Sequence, residues 1–148
     1  MVKKIKLGLA LGSGTARGYA HIPIINFLIK NNVKIDMISG SSAGAIIGAY
    51  FALYGEVKSL EKLLRSITKK ESLHLIDLNN PKKSIIKGIR IKKYLEDNFF
   101  GSKTFKDTKI PLYISATNIK TKKVVYFNKG KIIDAVMASI SVPAIFPP

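Results

Sequence analysis

Residues 38–48 read ISGSSAGAIIG, with two serines between glycines at the point where one apolar run ends and another begins. The central five residues, 40–44, fit the pattern G-x-S-x-G, which is typical of a nucleophile elbow. In such an elbow a strand stops, the chain turns sharply and a helix starts, so the residue at the tip is strained and exposes its side chain. The pattern predicts Ser42 as the tip and Ser41 as a spacer.

The two glycines of this pattern have a steric role. Gly40 and Gly44 stand two residues before and after Ser42, where Cβ atoms would collide with the strand and the helix. The N-terminus of the following helix adds a partial positive charge, which favours an alkoxide or a developing oxyanion. Serine is also a favoured helix N-cap, so the pattern alone leaves an ordinary capping role for Ser42 open.

A second glycine turn, GSGTARG at residues 12–18, also follows a predicted strand and opens a predicted helix. Its backbone N–H groups can converge on an anion. A Walker A loop is excluded because the required G-K-[ST] ending is absent. Gly12 and Gly14 fit a dinucleotide fingerprint, but Arg17 occupies the position of its third glycine and Gly18 comes one residue late.

Two interpretations of this second turn stay open. Dinucleotide binding would use Asp36, about 20 residues further on, although it falls at the start of its predicted strand instead of the end. An oxyanion loop serving Ser42 is the other interpretation. Neighbouring parallel strands end at the same edge of a sheet, so the two glycine turns should face each other. Only the oxyanion loop uses both turns.

The order of predicted elements favours an α/β fold. Residues 6–11 and 35–38 are predicted strands, while residues 19–31 and 41–54 have the apolar pattern of helices. This β-α-β-α order indicates a mostly parallel central sheet with right-handed crossovers and helices on both faces. The length of 148 residues matches a single domain over residues 1–148.

The rest of the chain adds further helices and a strand pair. The patterns predict an amphipathic helix at 57–68, loops with short helical turns at 71–93, a helix at 90–100, a hairpin of strands 112–118 and 124–128, and a last helix at 131–139.

Lysine and arginine are in large excess, 25 against 9 acidic residues. Residues 81–131 alone contain 14 basic and 3 acidic residues. Such a surface attracts nucleic acid or an anionic membrane, although an ordinary, well-solvated lysine-rich surface is the simpler explanation. No nucleic-acid-binding motif accompanies the charge, so we expect no nucleic acid partner. Peripheral contact with an anionic membrane remains a hypothesis.

Cysteine is absent, which excludes disulfides, thiolate metal sites and a thiol nucleophile. The N-terminus, MVKKIKLGLALG, lacks a small-residue cleavage signal, so we predict a buried strand there and no signal peptide. Residues 37–55 are uncharged and nearly long enough to span a membrane, but a buried crossover explains them better than a transmembrane helix. We therefore expect a cytoplasmic protein.

Four stretches in the right order resemble the patatin-like phospholipases of the bacterial serine esterase type: GSGTARG, GSSAG, ATNIKTKKVVYFN and ASISVPAIFPP. The resemblance implies a patatin-like three-layer fold and hydrolysis of acyl esters, often of lipids, by a Ser–Asp dyad. It makes Ser42 the nucleophile, with the backbone amides of Ser13, Gly14 and Thr15 holding the oxyanion. Arg17 would stabilise the loop or its charge. Ser13 and Thr15 stand where the family has further glycines, a departure that affects geometry more than chemistry.

A Ser–Asp dyad needs no histidine, and the positions of the two histidines agree with that. Neither His21 nor His74 lies late in the chain, where an elbow-type triad has its histidine. A capping or packing role is expected for His21 and a surface position for His74. The family's aspartate lies in a D-G-[GA] motif downstream of F-P-P, and this chain ends at that point. The acids present lack the motif: Asp36, Asp77, Asp97, Asp107 and Asp134.

We therefore interpret the chain as an incomplete patatin-like domain, a fragment or a natural truncation, with little hydrolase activity alone. In full-length form we expect a serine acyl-ester hydrolase acting on a lipid or another acyl ester, without cofactor or metal. The alternative is a non-catalytic binding or regulatory module that keeps the fold; dinucleotide binding is a distant third.

Overall fold

The computed structural model describes residues 5–66 and 81–141. Four strands within them form one sheet in the order β1-β2-β3-β4. They are β1 (Gly8–Leu11), β2 (Met37–Ser41), β3 (Leu112–Asn118) and β4 (Lys123–Phe127). β2 is parallel to β1 and to β3, while β3 and β4 form an antiparallel hairpin. The predicted mostly parallel sheet and the hairpin are confirmed.

Helices occupy most of the remaining described chain. They are a 3-10 helix (Thr15–Ala20), α1 (His21–Lys30), α2 (Ala43–Tyr54), α3 (Lys58–Ser66), α4 (Pro81–Leu95) continued by a π-helical turn (Glu96–Phe100), a short 3-10 helix (Phe105–Asp107) and α5 (Ile132–Ile140). The β-α-β-α order expected for an α/β fold is therefore present, and the mixed sheet with packed helices agrees with the predicted fold class.

Two predicted boundaries are wrong for identifiable reasons. The second strand spans residues 37–41, not 35–38, because Ile35 is buried ahead of the strand while pairing continues through polar residues to Ser41. Loops were expected over residues 71–93, but α4 begins at Pro81, where proline's fixed φ suits a first helical position. Residues 71–80 and His74 lie outside the described part of the chain.

The core lies between the sheet and α2. Nine of the twelve α2 residues are buried, which agrees with the prediction of a central helix. Alternate strand residues, among them Leu11, Ile38 and Ile114, are buried on one face, and a Cβ at Gly48 would lie 3.0 Å from Ile38 Cγ2. Helix α5 contacts both α2 and β3. Its buried Ile132, Ile133 and Val136 each contribute roughly 1.5–3 kcal/mol.

Helix α2 begins very close to the end of β1. A Cβ at Gly44 would overlap the carbonyl oxygen of Leu11. A Cβ at Gly40, on β2, would lie 2.5 Å from the carbonyl oxygen of Gly44. The obstacles are backbone atoms, which cannot rotate away as a side chain would. Glycine at these two positions therefore determines how closely helix and sheet meet.

No helix in the described ranges, 5–66 and 81–141, has both the length and the apolar character needed to cross a bilayer.

Gly44→Ala is expected to lower the free energy of unfolding by about 1–3 kcal/mol, because the added methyl group meets the backbone of β1. Gly88→Ala is the matched control, since Gly88 lies within α4 and a Cβ there meets nothing within 4 Å. Helix propensity predicts that this second change stabilises by about 0.8–1 kcal/mol. Urea unfolding measures both; equal effects of the two substitutions would contradict the proposed close approach.

Candidate functional site

Ser42 occupies the turn between β2 and α2, with backbone angles φ 52° and ψ −118°. A non-glycine residue in a sparsely populated region with positive φ costs on the order of 1–3 kcal/mol and persists only when its surroundings impose it. Ser42 stands at the N-cap position of α2, yet its side chain makes no capping hydrogen bond. The ordinary capping explanation for this serine is therefore absent from the structure, and the strain at the tip has the form expected of an elbow.

The N–H group of Ser42 donates a hydrogen bond to Ser139 Oγ, at 2.8 Å. Ser139 lies near the C-terminal end of α5, 97 residues away along the chain. The contact joins the elbow to α5, which packs on α2 and β3, so Ser139 helps to hold the strained backbone. Ser139 was not predicted from the sequence, where its one signal was a serine within a mostly apolar helix.

The glycine turn after β1 lies directly beside the elbow. A Cβ at Gly18 would come within 2.5 Å of the Cβ of Ala43, the first residue of α2. Together with the contact of Gly44 and Leu11, this places the two glycine turns side by side at one edge of the sheet. Among the residues that the structure describes, none accepts a hydrogen bond from the N–H of Ser13 or Gly14. These two donors remain available for a ligand.

The glycine turn is braced by hydrogen bonds. His21 Nε2 lies 2.9 Å from the carbonyl oxygen of Gly12, so the first residue of α1 is linked to the turn. The N–H of Arg17 donates to the carbonyl oxygen of Gly14 at 2.8 Å, while the Arg17 side chain is exposed. Thr15 begins the 3-10 helix that follows. At the end of the same helix, burial is the main cause that raises the pKa of the Tyr19 hydroxyl.

A pocket of about 440 Å³ opens next to the elbow. Hydroxyl groups and small or apolar side chains line it: Ser41, Ser115, Ala116, Thr117, Ile119, Val124, Ala138, Ser139 and Ser141. Ser41 precedes Ser42 and Ser139 binds its N–H, so two residues in contact with the elbow form part of the pocket wall. A neutral lining of this kind suits an uncharged ester better than an anion.

Asp36, the candidate ribose-binding acid, lies at the other end of the sheet. It precedes β2, accepts a hydrogen bond from the N–H of Leu7 at 3.0 Å and pairs with Lys34 at 3.4 Å. Both glycine turns follow the C-terminal ends of their strands. A dinucleotide site needs its acid at that end, so this arrangement argues against the dinucleotide interpretation.

Two further described aspartates have partners away from the elbow. Asp107 accepts hydrogen bonds from the N–H and hydroxyl of Thr104, which together hold the pKa of its carboxyl below the ordinary value. Asp134 pairs with Lys92 at 2.8 Å. Within residues 5–66 and 81–141, no group of three His, Asp or Glu side chains is arranged to hold a metal ion.

Comparison with known proteins gives one family match. Residues 9–148 match the family model described as patatin-like phospholipase. An uncharacterized NTE family protein of Mycobacterium tuberculosis is 34% identical over 143 residues, which is 97% of this chain and 39% of that protein. The neuropathy target esterase sws of Drosophila grimshawi is 32% identical over 145 residues, covering 96% of this chain and 10% of the relative. The lysophospholipase nte1 of Emericella nidulans is 30% identical over 149 residues, covering 96% of this chain and 9% of that protein.

Solved structures agree on the fold. The type III effector protein ExoU superimposes with a TM-score of 0.62 at 17% identity, covering 95% of this chain and 41% of ExoU. A chain of the complex of SpcU with ExoU from Pseudomonas aeruginosa superimposes with a TM-score of 0.57 at 21% identity, covering 96% of this chain and 39% of that chain. At such identities the likeness shows the fold alone. The chain spans about 39% of the length of the mycobacterial relative.

Ser139→Ala should leave the N–H of Ser42 without an acceptor in a half-buried position. We expect a loss of about 1 kcal/mol in the free energy of unfolding and faster hydrogen exchange at the Ser42 amide. Ser139→Thr keeps a hydroxyl and should restore protection. Ser141→Ala is the control, because Ser141 Oγ donates to the carbonyl oxygen of Met137 and lines the same pocket. Unchanged exchange at Ser42 in Ser139→Ala would show that the contact does not hold the elbow.

Proposed function

This chain belongs to the patatin-like phospholipase family, and on that premise we propose that it forms part of a serine acyl-ester hydrolase that acts on phospholipid or a related acyl ester. Ser42 is the nucleophile. The observation that carries the proposal is the backbone of Ser42, with its positive φ between β2 and α2 and no capping bond from its side chain. A structural N-cap serine would need neither feature.

In the proposed reaction, Ser42 Oγ attacks the carbonyl carbon of the ester while its proton passes to an aspartate. The carbonyl electron pair moves onto oxygen, and the N–H groups of Ser13, Gly14 and Thr15 stabilise the resulting oxyanion. Collapse of this intermediate expels the alcohol, which takes up the proton. Water then hydrolyses the acyl-Ser42 ester by the same steps, with the aspartate again accepting and returning a proton.

Two features of the described structure support this assignment of the oxyanion donors. Ser13 and Gly14 follow β1 and lie beside the elbow, with N–H groups that none of the described residues occupies. Helix α2 starts directly after Ser42, and its N-terminal partial charge adds to the stabilisation of a developing anion. Removing one such donor typically costs 10²–10³ in rate, which is roughly 2.7–4 kcal/mol. The Arg17 side chain contributes positive charge on the exposed side of the turn.

The proposal places the aspartate of the dyad outside residues 1–148. Asp36, Asp107 and Asp134 each have partners away from Ser42, and the matched relatives are considerably longer than this chain. The partners of Asp36, Asp107 and Asp134 away from Ser42 also favour the second candidate function, a binding module that keeps the fold without catalysis. The two differ in whether Ser42 reacts.

The proposed substrate is an acyl ester within or near a membrane. We propose that the protein makes peripheral contact with anionic lipid and has no nucleic acid partner. The hydroxyl-lined pocket beside Ser41 and Ser139 supports an uncharged ester group at the site. The excess of lysine and arginine supports the attraction to an anionic surface. No cofactor enters the proposed reaction.

A fluorophosphonate probe tests the assignment in the full-length protein. We expect covalent labelling at Ser42, abolished in Ser42→Ala and retained in Ser41→Ala, because Ser41 pairs with Ser115 in the sheet and does not stand at the tip. Mass spectrometry of the labelled peptide identifies the site. Labelling that persists unchanged in Ser42→Ala would refute the assignment of Ser42. Absence of labelling from a folded wild-type protein would favour the non-catalytic module.

A further inference from the structure

The hairpin formed by β3 and β4 ends in a tip of defined shape. Asn118 Oδ1 accepts hydrogen bonds from the N–H groups of Lys120 and Thr121, both at 3.0 Å. The carbonyl oxygen of Asn118 accepts a further hydrogen bond from the N–H of Lys122 at 2.7 Å. Three hydrogen bonds to one residue fix the backbone of the turn. The side chains of the turn therefore start from a rigid backbone.

This tip is strongly basic. Lys120, Lys122 and Lys123 are all exposed, and the sequence contains no acidic residue between Asp107 and Asp134. The ion pairs found in the described ranges use other cations, so these three lysines have no carboxylate partner there. Three neighbouring positive charges without counterions attract an anionic surface.

Large apolar side chains stand next to these charges. Ile119, Val124 and Tyr126 are 50%, 57% and 68% exposed, and β4 is one of the two edge strands of the described sheet. Nucleic acid or an ordinary hydrated surface would account for the lysines but would leave these apolar groups in water. Lysines beside aliphatic and aromatic side chains match the interface of a bilayer, where charged head groups adjoin apolar chains.

The same surface is continuous with the site. Val124 pairs with Thr117 and Tyr126 pairs with Ser115, so their side chains lie on the same face of the sheet as Ser115 and Thr117, two residues that line the pocket. Ile119 and Val124 themselves line the pocket together with Ser41 and Ser139. A lipid that leaves the bilayer along this face would therefore reach the pocket beside Ser42 without crossing bulk water.

From these observations we propose that the hairpin surface, comprising Ile119, Lys120, Lys122, Lys123, Val124 and Tyr126, docks on an anionic lipid bilayer and presents the pocket beside Ser42 to it. The inference rests on the proposed lipid-ester function but concerns binding, which does not need the reaction. The lysines supply long-range attraction that salt screens, and the apolar side chains insert among the head groups and resist salt.

Vesicle sedimentation of the full-length protein in the Ser42→Ala background tests the docking separately from catalysis. The vesicles contain phosphatidylcholine alone or phosphatidylcholine with phosphatidylserine. We expect binding to the mixed vesicles that weakens as salt rises. A triple Lys→Gln variant at positions 120, 122 and 123 should bind about 100-fold more weakly, since each lysine near an anionic surface contributes about fivefold. Gln is nearly isosteric, so the fold is retained.

The matched control carries the same charge change at Lys58, Lys103 and Lys106, which are exposed lysines outside the hairpin. It should retain at least a tenth of the wild-type affinity. Ile119→Ser should remove most of the binding that persists at high salt. Circular dichroism checks the folding of each variant.

Equal losses in the hairpin and control variants would overturn the proposal, because they would mean that net charge alone governs binding. Binding to duplex DNA as tight as to the mixed vesicles, and unaffected by Ile119→Ser, would identify a general polyanion site instead. A dimer that the hairpin substitutions dissociate, with no vesicle binding, would assign the surface to a second copy of the chain. If Ser42 is labelled by fluorophosphonate but vesicle binding fails, only the docking is refuted.

Discussion

The close approach of helix α2 to the ends of β1 and β2 is the constraint on which this site depends. Gly44 lets the first turn of the helix lie against the carbonyl oxygen of Leu11, and Gly40 lets β2 run straight into that turn. With helix and strands so near, a single residue must reverse the chain between them, and Ser42 does so at positive φ. The buried surface of α2 provides the free energy that maintains this strained conformation.

The same constraint brings separate parts of the sequence to one place. Parallel pairing of β1 and β2 brings the glycine turn and the elbow to the same edge of the sheet. Helix α5 then adds Ser139 to the elbow, and β3 leads from the pocket wall into the lysine-rich hairpin. The strained turn, the N–H groups of the glycine turn, the pocket and the basic tip therefore lie near one edge of the sheet. At this edge we propose that Ser42 reacts with an ester taken from a membrane surface.

The parts of this arrangement that depend on local pattern could be predicted from the sequence. G-x-S-x-G at a strand-to-helix junction indicated the elbow, and the β-α-β-α order indicated that both glycine turns face one another. The role of Ser139 could not be predicted, because its hydrogen bond to Ser42 spans 97 residues and depends on the packing of α5. The start of α4 was missed because Gly88 and scattered lysines obscure its helical period. The C-terminal end of β2 was not predicted, because the strand begins with apolar residues and continues through Ser39 and Ser41, which are polar.

The most direct measurement of the central claim is a crystal structure of the full-length protein after reaction with a phosphonate. The account predicts phosphorus bonded to Ser42 Oγ, with a phosphonyl oxygen about 2.7–3.1 Å from the backbone nitrogens of Ser13 or Gly14. Ser42 should keep its positive φ in that adduct. A phosphonyl oxygen that points away from the glycine turn, or an adduct on another residue while Ser42 is unmodified, would contradict it.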